Sequence, residues 1–336
     1  MSDEVTVSTQ CSGDPASGSA AVAPVPLDAE WLKRLAREAG ADDVGLVDVG
    51  RPELAGEQAA LGAYQPATRT LVSLVCRVQR ANARATARSL YNIEQRRCSE
   101  QLEQSARKFA AALEGEGVGA VYLPMAFPMD FDMRLRISHK TVAQAAGLGA
   151  MGLNRLLLHP VFGSCILITT VLLDRAATAY DQPLAVNPCI DCKLCAAACP
   201  TGAVCADGTF KGELCAAHNY RFRLRGFLHW VNTLADAKTS EEYRTVYSDA
   251  ETLNLWQGLT YEASNLCGYC VAVCPAGKRT VDAYVKDRAG YVAEVVKPLR
   301  ERSEGVYAHP GSDADGYAER HFKNKSTRHI PATLGT

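Results

Sequence analysis

The sequence predicts an α+β protein in which an N-terminal domain precedes a cysteine-containing module. Helical and strand-like patterns alternate over residues 27–180, and two cysteine motifs lie within residues 181–290. The 51 residues between Cys215 and Cys267, 216–266, have helical character, so they are predicted to be a helical insertion in a ferredoxin-like module. Residues 1–26 lack hydrophobic periodicity and are predicted to be a disordered tail, and residues 291–336 form a C-terminal extension.

The composition is that of an ordinary globular protein. The chain has 336 residues, of which 47% are hydrophobic and 22% charged, enough to build one large or two modest cores. A net charge of −1 gives no general electrostatic attraction to nucleic acid or to an anionic membrane. The sequence shows neither a leader pattern nor an apolar run of membrane-spanning length, so we expect a cytoplasmic protein with no membrane partner.

The elements of the N-terminal domain follow from the hydrophobic pattern. Helices end at glycine or begin after a polar cap, and the strands are apolar runs rich in Val and Leu. The predicted helices are 27–40, 83–114 and 138–146, and the predicted strands are 42–49, 69–78, 118–123 and 163–173. The loop 124–134 (P-M-A-F-P-M-D-F-D-M-R) is unusually apolar, which suits either a pocket wall or a loop docked on its own domain.

Two cysteine motifs give the strongest functional signal. Residues 189–200 read C-I-D-C-K-L-C-A-A-A-C-P, and residues 267–275 read C-G-Y-C-V-A-V-C-P. Short two-residue steps curl the backbone so that three thiolates reach one iron–sulfur cube. In two-cluster ferredoxins the cysteine before the proline ligates the other cube. The pattern therefore predicts two [4Fe–4S] clusters. A zinc site or a disulfide framework is the alternative, but zinc favours paired C-x2-C knuckles, which neither motif forms.

The spacing divides the cysteines into two sets of ligands. The first set is Cys189, Cys192, Cys195 and Cys274. The second contains Cys199, Cys267 and Cys270 and lacks one ligand. Cys205 lies too close to Cys199 along the chain to reach round comfortably. Cys215 follows a turn-rich stretch and is the favoured fourth ligand.

Gly147, Gly149 and Gly152 form a G-x-G-x-x-G pattern, with Asp174 about twenty residues further on. A dinucleotide site requires this pattern to follow a buried strand, whereas the preceding segment has a helical pattern. We therefore expect a glycine-rich turn at which the backbone approaches a large ligand.

The stretch A-G-L-G-A-M-G-L-N-R-L-L-L-H-P-V-F-G, a strand that ends in L-L-D, and the approach Y-D-Q-P-L-A-V-N-P-C-I-D-C resemble epoxyqueuosine reductases and corrinoid reductive dehalogenases. The resemblance extends over residues 142–275 and includes a lone upstream cysteine that matches Cys215. It implies a nitroreductase-like N-terminal domain and a cobalamin held between this domain and the ferredoxin-like module. Low-potential electrons would then pass through the clusters to reduce a small organic substrate or a modified nucleoside.

The same resemblance implies residues for the cofactor and for proton transfer. The implied cobalamin contacts are Gly147, Gly149, Gly152, Asn154, His139 and His159. Epoxyqueuosine reductases carry an aspartate in a V-D-[ST]-x-P-like segment before A-G-L-G, where this chain reads M-D-F-D-M-R-L-R. The candidate proton donors are therefore Asp132, Asp130, Tyr122 and Tyr91, and a carboxyl group would need burial to stay protonated.

Two other functions are compatible with the sequence. One is an electron-transfer protein of the ferredoxin type without a corrinoid, and the other is a reductase that couples the clusters to another cofactor. The expected electron donor is reduced ferredoxin or flavodoxin. A tRNA substrate would need a local basic patch, for which Arg77, Arg80, Arg84, Arg88, Arg96 and Arg97 are the dense candidates. A solvated helix face is the other explanation of these arginines.

Overall fold

The computed structural model of this chain describes residues 25–125, 137–221, 224–261 and 267–330. The mixture of helix and sheet predicted from the sequence is confirmed. Among the described residues, none of the helices combines the length and the apolar composition that a membrane crossing requires.

The N-terminal domain is a four-stranded sheet between two layers of helices. Its helices are α1 (Ala29–Glu38), α2 (Gln58–Tyr64), α3 (Arg80–Arg84), α4 (Arg88–Gly115) and α5 (His139–Ala145), with a 3₁₀ helix at Pro52–Glu57. Its strands are β1 (Asp43–Asp48), β2 (Thr70–Arg77), β3 (Ala120–Tyr122), β4 (Ala150–Met151), β5 (Leu157–Leu158) and β6 (Ile166–Leu173). The sheet order is β1-β2-β6-β3, with every neighbouring pair antiparallel, and β4 and β5 form a separate antiparallel hairpin.

Both faces of the sheet are covered, which explains the continuous apolar run in β2. Successive strand side chains point to opposite faces. Val72 and Leu74 belong to the core that includes Phe109 of α4, while Leu71 packs with Val142 of α5 on the other side. Every residue of β2 except Arg77 is buried. A strand buried on both faces has no solvated side that would favour polar residues.

The rest of the described chain is mostly short helices. These are α6 (Leu194–Ala198), α7 (Gly212–Asn219), α8 (Leu224–Asp236), α9 (Ser240–Val246), α10 (Asp249–Tyr261), α11 (Tyr269–Ala272), α12 (Val281–Lys286), α13 (Arg288–Tyr291), α14 (Lys297–Glu301) and α15 (Tyr317–His321), with a π-helical turn at Val292–Val296. In the C-terminal extension, β7 (Glu304–Ala308) and β8 (Lys325–His329) pair in parallel. The sequence patterns did not predict this small sheet.

Two glycines join the N-terminal domain to the second cysteine motif. Gly163 has a φ of +62°, and a Cβ atom there would lie 2.0 Å from the carbonyl oxygen of Ala276. Gly277 has a φ of +98°, and its Cβ atom would lie 2.5 Å from the backbone nitrogen of Gly163. Only glycine tolerates both the left-handed backbone and this approach of two main chains. The contact therefore fixes the second motif against the segment that leads into β6.

We expect Gly163→Ala to lower the free energy of unfolding by more than about 2 kcal/mol, because it adds left-handed strain and a clash with backbone. Denaturant unfolding under anaerobic conditions measures this loss. Gly62→Ala is the matched control. Gly62 lies in α2 with open space around its would-be side chain, so the same substitution there should leave stability unchanged or raise it by up to about 1 kcal/mol. Equal stability of Gly163→Ala and the parent protein would contradict the close approach.

Candidate cluster-binding site

Four thiols line one pocket beside the β4–β5 hairpin. They are Cys189, Cys192, Cys195 and Cys274, and the pocket has a volume of about 330 Å³. Between the first three cysteines, Asp191 and Lys193 adopt left-handed backbone conformations with φ of +54° and +61°. Left-handed residues curl the chain sharply, so they bring these cysteines to the same side of the loop. The structure therefore brings together the first predicted set.

The second predicted set also comes together. Cys199 follows α6, Cys215 lies in α7, and Cys267 and Cys270 lie at the start of α11. Burial raises the pKa of the Cys215 thiol to about 12, and the neighbouring Cys267 and Cys199 thiols contribute to the rise. Burial also raises the pKa of Cys270, again with contributions from Cys267, Cys215 and Cys199. Thiols affect each other's pKa only over short distances, so these four lie near one another, and Cys195 of the first set also contributes to the rise at Cys270.

Cys205 is set apart from these thiols. Its sulfur lies 3.6 Å from the carbonyl oxygen of Gly202, within its own turn. It is absent from the residues that line the Cys274 pocket and from those that shift the pKa values of Cys215 and Cys270. In the part of the chain that the structure describes, no three Cys, His, Asp or Glu side chains are close enough to hold one metal ion. The ligands of a cube instead bind several different irons.

Three arginines hold the second cysteine motif by its backbone. Arg80 donates to the carbonyl of Cys274 at 2.9 Å, Arg84 to that of Ala272 at 3.2 Å, and Arg88 to that of Cys267 at 3.4 Å. These three side chains therefore form neither a solvated face nor a free basic patch. Arg96 and Arg97 pair with Glu100 at 2.8 and 2.9 Å. The sequence showed the four-residue spacing of Arg80, Arg84 and Arg88 but not the carbonyls that they meet.

The candidate proton donors differ in their location and exposure. Asp130 and Asp132 lie outside the described residues. Tyr122 is 43% exposed, at the end of β3. Tyr91 is buried, and its ring occupies the place where a Cβ atom of Gly268 would lie. Burial raises the pKa of Tyr91 well above its usual value, with a contribution from Cys270. Tyr91 is thus a wall of the second thiol set.

The glycine turn is packed closely against other parts of the protein. A Cβ atom would lie 2.4 Å from the carbonyl oxygen of Gln182 at Gly147, and 2.7 Å from that of Leu158 at Gly149. At Gly152 it would lie 2.6 Å from a methyl carbon of Leu158. The glycines therefore allow the β4–β5 hairpin and its neighbours to pack closely.

The polar residues predicted to contact a cobalamin also have partners within the protein. His139 bonds the Thr170 hydroxyl at 2.9 Å and the Pro124 carbonyl at 3.0 Å, so it ties α5 to the sheet. His159 bonds Asp43 at 3.0 Å and stacks on the Phe162 ring.

Asn154 donates to the Cys270 carbonyl at 3.3 Å and so supports the second thiol set. Together with the packed glycines, these contacts give each of the predicted residues a structural role within this chain, and their contact with a cobalamin stays a prediction. A residue that the set of predicted contacts omitted, Lys140, lies close enough to Cys270 and Cys215 to interact with them electrostatically.

Part of the chain is similar to curated proteins that share one name. No family model matches the chain. The chain is 28% identical over 166 residues to the epoxyqueuosine reductase of Listeria monocytogenes. The aligned region covers 48% of this chain and 35% of that protein. The chain thus spans about a third of the length of the curated relatives that it matches.

Solved structures that the comparison found include an epoxyqueuosine reductase from Bacillus subtilis, with a TM-score of 0.45, 16% identity, and coverage of 88% of this chain and 82% of that one. A reductive dehalogenase has a TM-score of 0.48 and 18% identity, with coverage of 79% and 39%. The resemblance to epoxyqueuosine reductases is confirmed over part of the chain.

The buried His139 should make the protein less stable in mild acid. Burial lowers the pKa of His139 below its usual 6.5. The folded state therefore binds this proton less readily than the unfolded state, and stability falls as the pH drops through about 6.5 toward the lowered pKa. Denaturant unfolding at pH 7.5 and pH 6.0 should show a smaller pH dependence for His139→Gln than for the parent protein. Identical pH slopes for the two proteins would show that His139 does not cause the effect.

Proposed function

We propose that this protein is an iron–sulfur reductase that holds two [4Fe–4S] clusters and passes electrons one at a time to a substrate bound beside them. The observation that supports it is the gathering of eight thiols into two neighbouring groups of four, each drawing cysteines from both motifs. The cluster ligands in this proposal are Cys189, Cys192, Cys195 and Cys274 for the first, and Cys199, Cys215, Cys267 and Cys270 for the second.

The chain's own residues shape the environment of these clusters. Cluster thiolates must lose their protons before they bind iron, so the raised pKa values of the buried thiols mean that cluster assembly releases protons. The guanidinium groups of Arg80, Arg84 and Arg88 lie beside the second motif. Positive charge there stabilises the reduced, more negative state of a cluster and raises its reduction potential.

The proposed substrates are a small organic compound or a modified nucleoside, in keeping with the names of the relatives, with reduced ferredoxin or flavodoxin as donor. A cobalamin, which the resemblance implies, would when bound relay these electrons to the substrate. The N-terminal domain favours a reductase over a simple carrier. Oxidation of the dithionite-reduced protein by an added halogenated aromatic or an epoxyqueuosine-containing RNA stem would distinguish the two.

We expect anaerobically purified or reconstituted protein to contain about eight irons and eight sulfides per chain. Cys215→Ser should lose about half of each, because the second cluster lacks its fourth thiolate. Cys205→Ser is the matched control and should retain both clusters. Iron and sulfide analysis, electron paramagnetic resonance of the reduced protein and a cobalt count on the same sample measure these outcomes.

Loss of a cluster in Cys205→Ser, with retention in Cys215→Ser, would overturn the ligand assignment. Parent protein without sulfide would overturn the iron–sulfur proposal itself. Stoichiometric cobalt in the parent sample would show that a corrinoid is bound.

A further inference from the structure

A second pocket lies behind the segment that carries Cys274, and it is separate from the thiol sites. Its volume is about 260 Å³, and it forms where the end of β2, the segment before β6 and the start of α12 meet. We call it the arginine pocket. It is lined by Arg77, Val78, Gln79, Arg80, Ala81, Val161, Phe162, Cys165, Arg279 and Thr280.

The lining of the arginine pocket contains three arginines and no carboxylate. The nearby acids Asp42 and Glu94 accept hydrogen bonds from the backbone N–H groups of Arg77 and Gln79. In the described ranges, neither Arg77 nor Arg279 forms an ion pair. A concave site lined by three arginines, with two carboxylates behind it, attracts anions and concentrates them.

The positive groups are held in place before any ligand arrives. Arg80 donates one terminal nitrogen to the Cys274 carbonyl at 2.9 Å and the other to the Phe162 carbonyl at 2.7 Å. The guanidinium carbons of Arg77 and Arg279 lie 6.0 and 5.3 Å from the centre of the Phe162 ring. A guanidinium carries five N–H groups, so each arginine keeps donors for a ligand. Groups that are already fixed lose little entropy on binding.

Thr280 also lies in the lining, but its hydroxyl oxygen is shielded from the open pocket. The donors that a ligand in the pocket can meet are therefore the guanidinium groups. Guanidinium groups are common donors to phosphate oxygens.

We propose that the arginine pocket binds an organic phosphate. A phosphate monoester carries about 1.5 to 2 negative charges at neutral pH, which matches three arginines better than a single carboxylate does. Arginine forks also fit the geometry of phosphate oxygens. Val78, Val161 and Phe162 provide apolar wall for the organic part, and the pocket is larger than the phosphate group alone requires.

The test is isothermal titration calorimetry of the purified holoprotein with adenosine 5′-monophosphate and with inorganic phosphate. Both ligands should bind, the nucleotide more tightly because of its organic part. Arg279→Gln and Arg77→Gln should each weaken binding about tenfold, the effect of one lost charged hydrogen bond. Lys278→Gln is the matched control, since Lys278 is exposed, adjacent to Arg279 and outside the lining, and it should change affinity less than about twofold.

Absence of binding by both phosphates at millimolar concentration would overturn the proposal, as would binding that both arginine variants leave unchanged. If an RNA stem bound and adenosine 5′-monophosphate did not, the arginine pocket would be assigned to nucleic acid instead. Thermal melting of each variant shows whether it is folded. The titration measures phosphate binding, whereas the iron and sulfide analysis measures cluster content. Either proposal can therefore be contradicted without the other.

Discussion

The close contact between the second cysteine motif and the N-terminal domain is the constraint on which the thiol sites depend. Each set of four thiols combines residues from both motifs, which lie about seventy residues apart in the sequence. Loop closure over such a distance costs conformational entropy. The main-chain approach of Gly163 to Gly277 and the bond from Arg80 to the Cys274 carbonyl offset this cost by fixing the motif to a rigid sheet.

The C-terminal extension holds the same motif from its other side. Tyr269 lies inside the motif, and its ring is covered by Lys325 and Arg302, whose charges lie 4.7 Å from the ring centre. The Nζ atom of Lys325 is 2.8 Å from the Tyr269 hydroxyl and also faces Glu304. Burial lowers the pKa of Lys325 to about 8. A buried charge that lost its partner would be strongly destabilising, so these groups specify how the extension docks.

The glycine turn shows that the spacing of a sequence motif does not by itself determine what the motif contacts in the fold. Gly147, Gly149 and Gly152 stand where a large ligand was expected, yet each faces atoms of this chain. The same spacing that lets a backbone approach a cofactor also lets one backbone approach another. The β4–β5 hairpin uses that freedom, and Asn154 beyond it supports the Cys270 carbonyl. The turn therefore contributes to the thiol site indirectly, by packing.

The sequence by itself determined the elements of the N-terminal sheet and the division of the cysteines into two sets. Both depend on local periodicity and short spacing, which a sequence displays directly. It also favoured Cys215 over Cys205 as the partner of Cys199, from the distance along the chain, the turn-rich stretch before Cys215 and the family resemblance.

Only the tertiary structure decided which carbonyls Arg80, Arg84 and Arg88 meet, and that the space at the glycine turn is filled. It also produced the pairing of β7 with β8 and the grouping of Arg77 with Arg279 around Phe162. These contacts join residues that are far apart in the sequence, and their partners are mostly backbone atoms, which every residue carries and which leave no pattern to read.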